Sequence, residues 1–285
     1  MAKGIMYVDN IRVEFDDEAT IMDVCRKAGV EMPNFCFHSD LSVYGACRMC
    51  MVEDLDTGKI DAACTTKPKN GMRIRTNTSR LLKYRRMILE LMLASHCRDC
   101  TACEKNRSCR LQEMAVRFGI HHVHFKDTRE HVPMDFSSPA VTFDLNKCIL
   151  CGDCVRVCKE VQGMSILHFA GRGPGLHDQP ISTTHCVSCG QCAAVCTTGA
   201  ITVKNDIGDA WRALHDPSKR VVIQIAPAVR VALGEAYGLP AGENVLDKLV
   251  TALKIMGADE VYDTIFGADL TVREESAEFL RRLET

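Results

Sequence analysis

Several features that would sort a chain quickly are scarce here. Aromatic residues make up only 6% of the 285 residues, with a single tryptophan. With no recognised nucleic-acid-binding motif either, a role on DNA or RNA is not expected. No run of about 18 apolar residues occurs, so no membrane-spanning helix is expected. Met1-Ala2-Lys3-Gly4-Ile5-Met6-Tyr7 leads into Val8 and Asp9 without an apolar stretch, so no secretory leader is expected. The glycines of Gly171-Arg172-Gly173-Pro174-Gly175 lack the spacing and the preceding strand of a dinucleotide fingerprint, and read as a loop. No flavin site, nicotinamide site or nucleophile triad is visible. Hydrophobic residues at 46% and charged residues at 25% are ordinary for a globular chain and exclude disordered or collagen-like classes.

Cysteine, in contrast, is abundant: there are 17. A chain of this length can build a core without disulfides, and an odd count does not fit a fully paired framework. Metal or redox chemistry in a reducing compartment is the better explanation, and a cytoplasmic location follows as the expectation. The cysteines fall into four groups: Cys36, Cys47, Cys50, Cys64; Cys97, Cys100, Cys103, Cys109, preceded by His96; Cys148, Cys151, Cys154, Cys158; and Cys186, Cys189, Cys192, Cys196. Only Cys25 lies outside them. No cysteine follows Cys196.

Groups three and four each read C-x2-C-x2-C-x3-C, the spacing of two-cluster bacterial ferredoxins, in which the fourth cysteine serves the other cluster. Three thiolates two residues apart wrap one face of a cubane, and the fourth, carried into a helix, reaches across. The spacing therefore assigns Cys148, Cys151, Cys154 and Cys196 to one [4Fe–4S] cluster, and Cys186, Cys189, Cys192 and Cys158 to a second. Zinc also accepts C-x2-C pairs, but uses two pairs rather than two copies of a four-cysteine run. The proline usual after the fourth cysteine is Lys159 in one copy and Thr197 in the other.

Group one spans C-x10-C-x2-C-x13-C, a longer first gap than the plant-type [2Fe–2S] pattern. Its surroundings suggest a β-grasp domain. Gly4–Asp9 and Ile11–Phe15 read as a hairpin around Asn10. Thr20 is placed to cap a helix with Asp23 completing a capping box, and Gly29 ends it. Arg48–Glu53 alternates like a strand. Group two is less conventional: His96 with Cys100, Cys103 and Cys109, or Cys97 with the same three, could hold a [4Fe–4S] cluster, and spacing leaves both open.

With these motifs assembled, residues 1–208 resemble the iron–sulfur half of [FeFe]-hydrogenases and the matching part of the large iron–sulfur subunit of NADH dehydrogenase complex I. The resemblance rests on Phe35-Cys36, Gly45-Ala46-Cys47-Arg48-Met49-Cys50, Cys64, the His96 to Cys109 run, and Cys148-Ile149-Leu150-Cys151-Gly152-Asp153-Cys154-Val155-Arg156-Val157-Cys158. It implies His96 as the fourth ligand of the second cluster, with Cys97 a bystander. Cys25 then reads as a small buried hydrophobe. After residue 208, Gln224-x-Ala226-Pro227-Ala228-Val229-Arg230 and Asp263-Thr264-x-Phe266-x-Ala268-Asp269-Leu270 look like the opening of the [FeFe]-hydrogenase catalytic domain and unlike the complex I continuation.

The fold expected is α+β and multidomain: a β-grasp [2Fe–2S] domain over 1–79, a His/Cys3 [4Fe–4S] domain over 80–137, a 2[4Fe–4S] ferredoxin-like domain over 138–208, and a small α/β unit over 209–285. Within that unit, strands are expected at Val221–Ile225 and Glu260–Asp263, with helices from Pro227, over Leu246–Met256 and over Val272–Leu283. The thiolates that hold the family's H-cluster lie downstream of this point, so the resemblance implies an electron-relay subunit without an H-cluster of its own. The helical finish at Phe279–Thr285 favours that over a truncated hydrogenase, and a complex I-type subunit is the third reading. Resemblance to the alpha subunit of trimeric electron-bifurcating hydrogenases implies partners: an FMN- and NAD(H)-binding iron–sulfur flavoprotein, a small thioredoxin-like [2Fe–2S] subunit, and ferredoxin or a further catalytic subunit.

Charge is uneven. Residues 66–117 form a basic block that includes Lys67, Lys69, Arg73, Arg75, Arg80, Lys83, Arg85 and Arg86. It reads as a docking face for acidic ferredoxin or a partner subunit, or as a solvated helix face plus counter-charge for anionic clusters. His121-His122-Val123-His124 would place His122 and His124 on one strand face, and reads as surface histidines.

Overall fold

The computed structural model describes residues 4–127, 131–170, 173–175 and 179–284. The chain separates into two compact units, residues 1–204 and 205–285.

The first unit opens with a hairpin of β1 (Gly4–Val8) and β2 (Ile11–Phe15). Asp9 and Asn10 both take positive φ, the geometry of a two-residue hairpin turn that asparagine tolerates well. Helix α1 (Ile21–Lys27) follows, with the Thr20–Asp23 capping box formed and Gly29 at φ 72 just past its end. A long irregular segment then carries Cys36, Cys47 and Cys50 to β3 (Met51–Asp54), β4 (Ile60–Ala62) and β5 (Arg73–Arg75). The five strands form one mixed sheet in the order β2-β1-β5-β3-β4, with β1 parallel to β5 and the other pairs antiparallel. Burial alternates along β2, placing Val13 and Phe15 against Ile21, Met22, Val24 and Cys25 of α1.

The strand expected over Arg48–Glu53 begins only at Met51. Arg48 has φ 55, a left-handed conformation that turns the chain between two cysteines and cannot continue a pleat.

Helix α2 (Ser79–Ala94) is capped by Thr78, whose hydroxyl accepts the Leu81 N–H. It buries Leu81, Arg85 and Leu89, one residue per turn along a single face. Helix α3 (Arg110–Arg117) packs Leu111 and Met114 against Leu89, Phe35 and Met49. Residues 121–124 form no strand among the described residues, and the expected alternation is absent. His121, His122 and His124 are exposed, as expected. His124 Nδ1 lies 2.8 Å from Glu90 Oε2, and the His122 and His124 rings meet edge-on.

The remainder of this unit is built from two similar halves. Strand β6 (Val141–Phe143) leads to the group three loop and α4 (Asp153–Arg156), which continues as a π-helical turn over Val157–Val161. Strands β7 (His168–Ala170) and β8 (Gly173–Gly175) pair antiparallel, so part of the segment read as a plain loop is a hairpin; Gly171 and Arg172 lie outside the described residues. The group four loop leads to α5 (Gln191–Ala194) and β9 (Ile201–Val203), which pairs antiparallel with β6.

The second unit comprises α6 (Ile207–Leu214), β10 (Val222–Ile225), α7 (Pro227–Ala232), α8 (Leu246–Ile255), β11 (Glu260–Asp263) and α9 (Thr264–Glu284). Strands β10 and β11 are parallel, and Pro227 occupies the first turn of α7, where its missing N–H costs nothing. Arg230 and Asp263, from the two motifs that carry the hydrogenase resemblance, form a half-buried ion pair at 2.5 Å. The last helix starts at Thr264, earlier than the Val272 expected, because Thr264–Thr271 holds no proline and the single Gly267 does not interrupt the helical run.

Candidate metal centres

All four group one cysteines are buried. The Phe35 N–H donates to Cys47 Sγ and the Cys47 N–H to Cys36 Sγ, both at 3.4 Å. Their sulfurs form two hydrogen-bonded pairs, Cys36 with Cys47 and Cys50 with Cys64. The bond from Cys36 pulls the Cys47 thiol down to about 6, and the same bond with burial pushes Cys36 up. Cys50 is likewise lowered by its bond from Cys64, and Cys64 raised. Gly45 makes the loop possible: it sits at φ 69, and a Cβ there would lie 2.6 Å from Thr65 Cγ2.

Arg85 completes this site from α2. It is 2% exposed, and its guanidinium donates to the carbonyls of Met49 (2.9 Å), Met51 (2.6 Å) and Thr76 (2.8 Å). Two of those carbonyls bracket Cys50. Burial lowers its pKa to about 10, with Cys50 acting in the opposite sense. The sequence groups Arg85 with a basic surface; the structure removes it from that surface. The signal is present in the four-residue spacing Leu81, Arg85, Leu89, which puts it on the buried face.

In group two, His96, Cys97, Cys100, Cys103 and Cys109 line one small cavity together with Lys147 and Gly199. Both alternatives for the fourth ligand are therefore present. His96 is buried, and its Nδ1 accepts the Arg98 N–H at 3.2 Å. A neutral ring in that state carries its proton on Nε2, so binding metal through Nε2 requires moving the proton to Nδ1 and releasing the Arg98 amide. Gly199 is packed so tightly that a Cβ would lie 2.6 Å from Cys103 Sγ. Cys100 is raised by burial and by the neighbouring Cys109, Cys103 and Cys97.

Groups three and four are gathered into two further cavities. One is lined by Cys148, Cys151, Cys154 and Cys196, the other by Cys186, Cys189, Cys192 and Cys158. In each, three cysteines of one run meet the fourth of the other. Cys158 lies in the π-helical turn, while Cys196 lies two residues beyond α5 rather than within it. The two loops share their backbone: Leu150 (φ 59) and Gly152 (φ 78) repeat as Ser188 (φ 55) and Gly190 (φ 74). Left-handed residues at these steps turn successive N–H groups inward, making a concave anion-binding surface. The Leu150 N–H donates to Cys148 Sγ at 3.4 Å and the Thr197 hydroxyl to Cys151 Sγ at 3.6 Å.

These donor sets suit clusters of several irons. Burial pushes the Cys151 thiol up to about 12, Cys192 to about 11 and Cys154 well above its ordinary value. Thiolates in such desolvated positions need compensating positive charge, which ferrous and ferric iron supply. Among the described residues no three His, Cys, Asp or Glu side chains converge on a single-ion position. Cys25 is buried under α1, its thiol raised to about 12 by burial, with no place in any of the three cavities.

Fold and donor sets together define an iron–sulfur protein with ferredoxin-type domains of both 2Fe–2S and 4Fe–4S kinds. Comparisons with known proteins agree segment by segment. Residues 5–79 match the 2Fe-2S iron-sulfur cluster binding domain, 85–124 the NADH-ubiquinone oxidoreductase-G iron-sulfur binding region, 147–200 the 4Fe-4S dicluster domain, and 219–285 the C-terminal domain of the iron only hydrogenase large subunit. The chain is 37% identical to the NADP-reducing hydrogenase subunit HndD of Solidesulfovibrio fructosivorans and 30% identical to iron hydrogenase 1 of Clostridium pasteurianum, each over 97% of this chain and 49% of the relative. It is 35% identical to the NADH-ubiquinone oxidoreductase 75 kDa subunit of Reclinomonas americana over 70% of this chain and 29% of that one. A crystal structure of an NAD+-reducing [NiFe]-hydrogenase in the H2-reduced state aligns at TM-score 0.65 and 29% identity, covering 71% of this chain and 88% of that chain. The chain is thus homologous to hydrogenase and NADH dehydrogenase iron–sulfur subunits, and spans about half the length of the hydrogenase relatives it matches. No helix among the described residues is long and apolar enough to cross a membrane.

Proposed function

We propose that this chain is an electron-relay subunit with one [2Fe–2S] and three [4Fe–4S] clusters. Cys36, Cys47, Cys50 and Cys64 hold the first. His96, Cys100, Cys103 and Cys109 hold the second. Cys148, Cys151, Cys154 and Cys196 hold the third, and Cys186, Cys189, Cys192 and Cys158 the fourth. The observation that carries the reading is the crossed gathering of groups three and four, in which each cavity takes its last cysteine from the other run.

Bound clusters supply one-electron redox chemistry at potentials set by ligand type, hydrogen bonds to sulfur and burial. The chain's own contributions are legible. The Phe35, Cys47 and Leu150 amides and the Thr197 hydroxyl donate to ligand sulfurs and favour added negative charge. Arg85 fixes the backbone on both sides of Cys50 and brings a buried positive charge. Burial of the four group one cysteines keeps water from their sulfurs, while Cys100 and Cys189 stay exposed.

In this reading the domains run 1–79, 80–137, 138–208 and 209–285. On the same reading the fourth serves as a docking platform. The partners are an FMN- and NAD(H)-binding iron–sulfur flavoprotein, a small [2Fe–2S] subunit and a further redox protein such as ferredoxin, in a reducing cytoplasm. The test is hydrogen evolution from reduced viologen after exposure to hydrogenase maturation. The reading predicts none; evolution by this chain alone contradicts it and makes the chain a catalytic hydrogenase fragment.

A further inference from the structure

The gap between the first two cysteines of group one is ten residues, against four in the plant-type pattern. The structure gives this longer segment a partner. Arg156 lies in C-V-R-V-C, two residues from both Cys154 and Cys158. Its guanidinium donates to the Cys36 carbonyl at 2.8 Å, to the Ser42 carbonyl and to the Asp153 carboxylate, and it lies over the Tyr44 ring at 5.6 Å. Both Arg156 and Asp153 are buried. One turn further on, Glu160 accepts the Ser42 N–H at 2.8 Å and the Ser42 hydroxyl at 2.5 Å. Tyr44 also stacks on Phe169, with ring centroids 5.8 Å apart and planes 7° from parallel. The stacked pair covers Gly152, between Cys151 and Cys154, where a Cβ would come within 3.0 Å of Phe169 and 3.2 Å of Tyr44.

We propose that the segment between Cys36 and Cys47 is a strap binding the [2Fe–2S] site to the group three loop and helix, with Arg156 as its positioning residue. This rests on the cluster assignment above. A bidentate guanidinium is suited to the task. It holds a carbonyl belonging to a ligand of one cluster while its own backbone runs between ligands of two others. Removing it leaves the Cys36 and Ser42 carbonyls and the Asp153 carboxylate without their donor, and the strap loses its fixed distance from the group three loop.

The experiment uses the full chain, loaded anaerobically with iron and sulfide and reduced with dithionite. Iron content and the EPR signals of the reduced [2Fe–2S] and [4Fe–4S] clusters are read, together with the magnetic interaction between them. Arg156→Gln and Tyr44→Leu should keep full iron content and each cluster's own g values while the interaction weakens. Arg156→Lys should restore part of it. Arg73→Gln, at an exposed arginine of the first domain that pairs with Asp56, should leave the interaction unchanged. An unchanged interaction in both strap variants overturns the proposal. So does loss of a cluster from both, which would make the segment part of cluster holding rather than spacing. Wild-type protein lacking either signal overturns the cluster assignment itself, and the strap with it.

Discussion

Replacing Gly199 by alanine isolates the steric demand of the second cluster. Gly199 is not in a left-handed conformation, so alanine brings no backbone strain. The added Cβ would lie 2.6 Å from Cys103 Sγ, with Lys147 Cδ at 3.4 Å behind it. Nonbonded contacts become comfortable near about 3.5 Å, so the overlap is about 1 Å. Lys147 is a flexible side chain and can give way, but Cys103 is a short one. Its relief is rotation about χ1, which swings the sulfur out of the cavity shared with His96, Cys100 and Cys109. Overpacking of this kind costs about 1–3 kcal/mol in folding. The larger effect is on metal: one ligand position is lost, and with it about four irons of a cubane. The assay is iron content with EPR of the reduced protein, alongside Tm. A matched control is Gly58→Ala, where φ is 65 but nothing lies within 4 Å. That variant should lose roughly 1–2 kcal/mol of stability from strain alone and keep all its iron. Full iron and an intact second-cluster signal in Gly199→Ala would refute the reasoning.

The remaining predictions concern the other cysteine loops and their supports. Arg85→Met strips the donor from the Met49, Met51 and Thr76 carbonyls, the first two flanking Cys50, and should cost on the order of 3–5 kcal/mol, read by denaturant unfolding, with selective loss of the [2Fe–2S] signal. Cys25→Ala should keep every cluster and cost about 1–2 kcal/mol, since its thiol only fills space under α1. His96→Ala should change or abolish one [4Fe–4S] signal while Cys97→Ala leaves the spectrum as it is; the reverse outcome would hand the fourth ligand to Cys97. Gly152→Ala combines left-handed strain with contact against Tyr44 and Phe169, and thermal unfolding should register a loss of about 2 kcal/mol or more.

Features that depend on a few neighbouring residues are legible in the sequence. The Asp9-Asn10 turn, the Thr20–Asp23 capping box and the proline that opens α7 each follow from local chemistry, and each stands where expected. The two C-x2-C-x2-C-x3-C runs announce their crossed pairing because spacing sets which sulfurs one loop can present. What stays hidden depends on distant partners. Arg48 breaks the expected strand because the cysteine loop must turn there, which alternation does not reveal. The basic block conceals Arg85, whose three acceptors are carbonyls brought together only by the sheet. Gly199 carries no signature of its own, since its constraint is the sulfur of Cys103, far away along the chain. The long gap of group one is visible as a departure from the plant-type pattern, but its contacts with Arg156 and Glu160 appear only when the two regions are folded together.

The central claim is the cluster inventory, and the most direct measurement is iron and acid-labile sulfide per chain, with Mössbauer spectra to sort the cluster types, on anaerobically purified protein. The account predicts about 14 irons, divided between one [2Fe–2S] and three [4Fe–4S] clusters. About 10 irons with one cubane missing, or zinc in place of iron in any of the four sites, would contradict it.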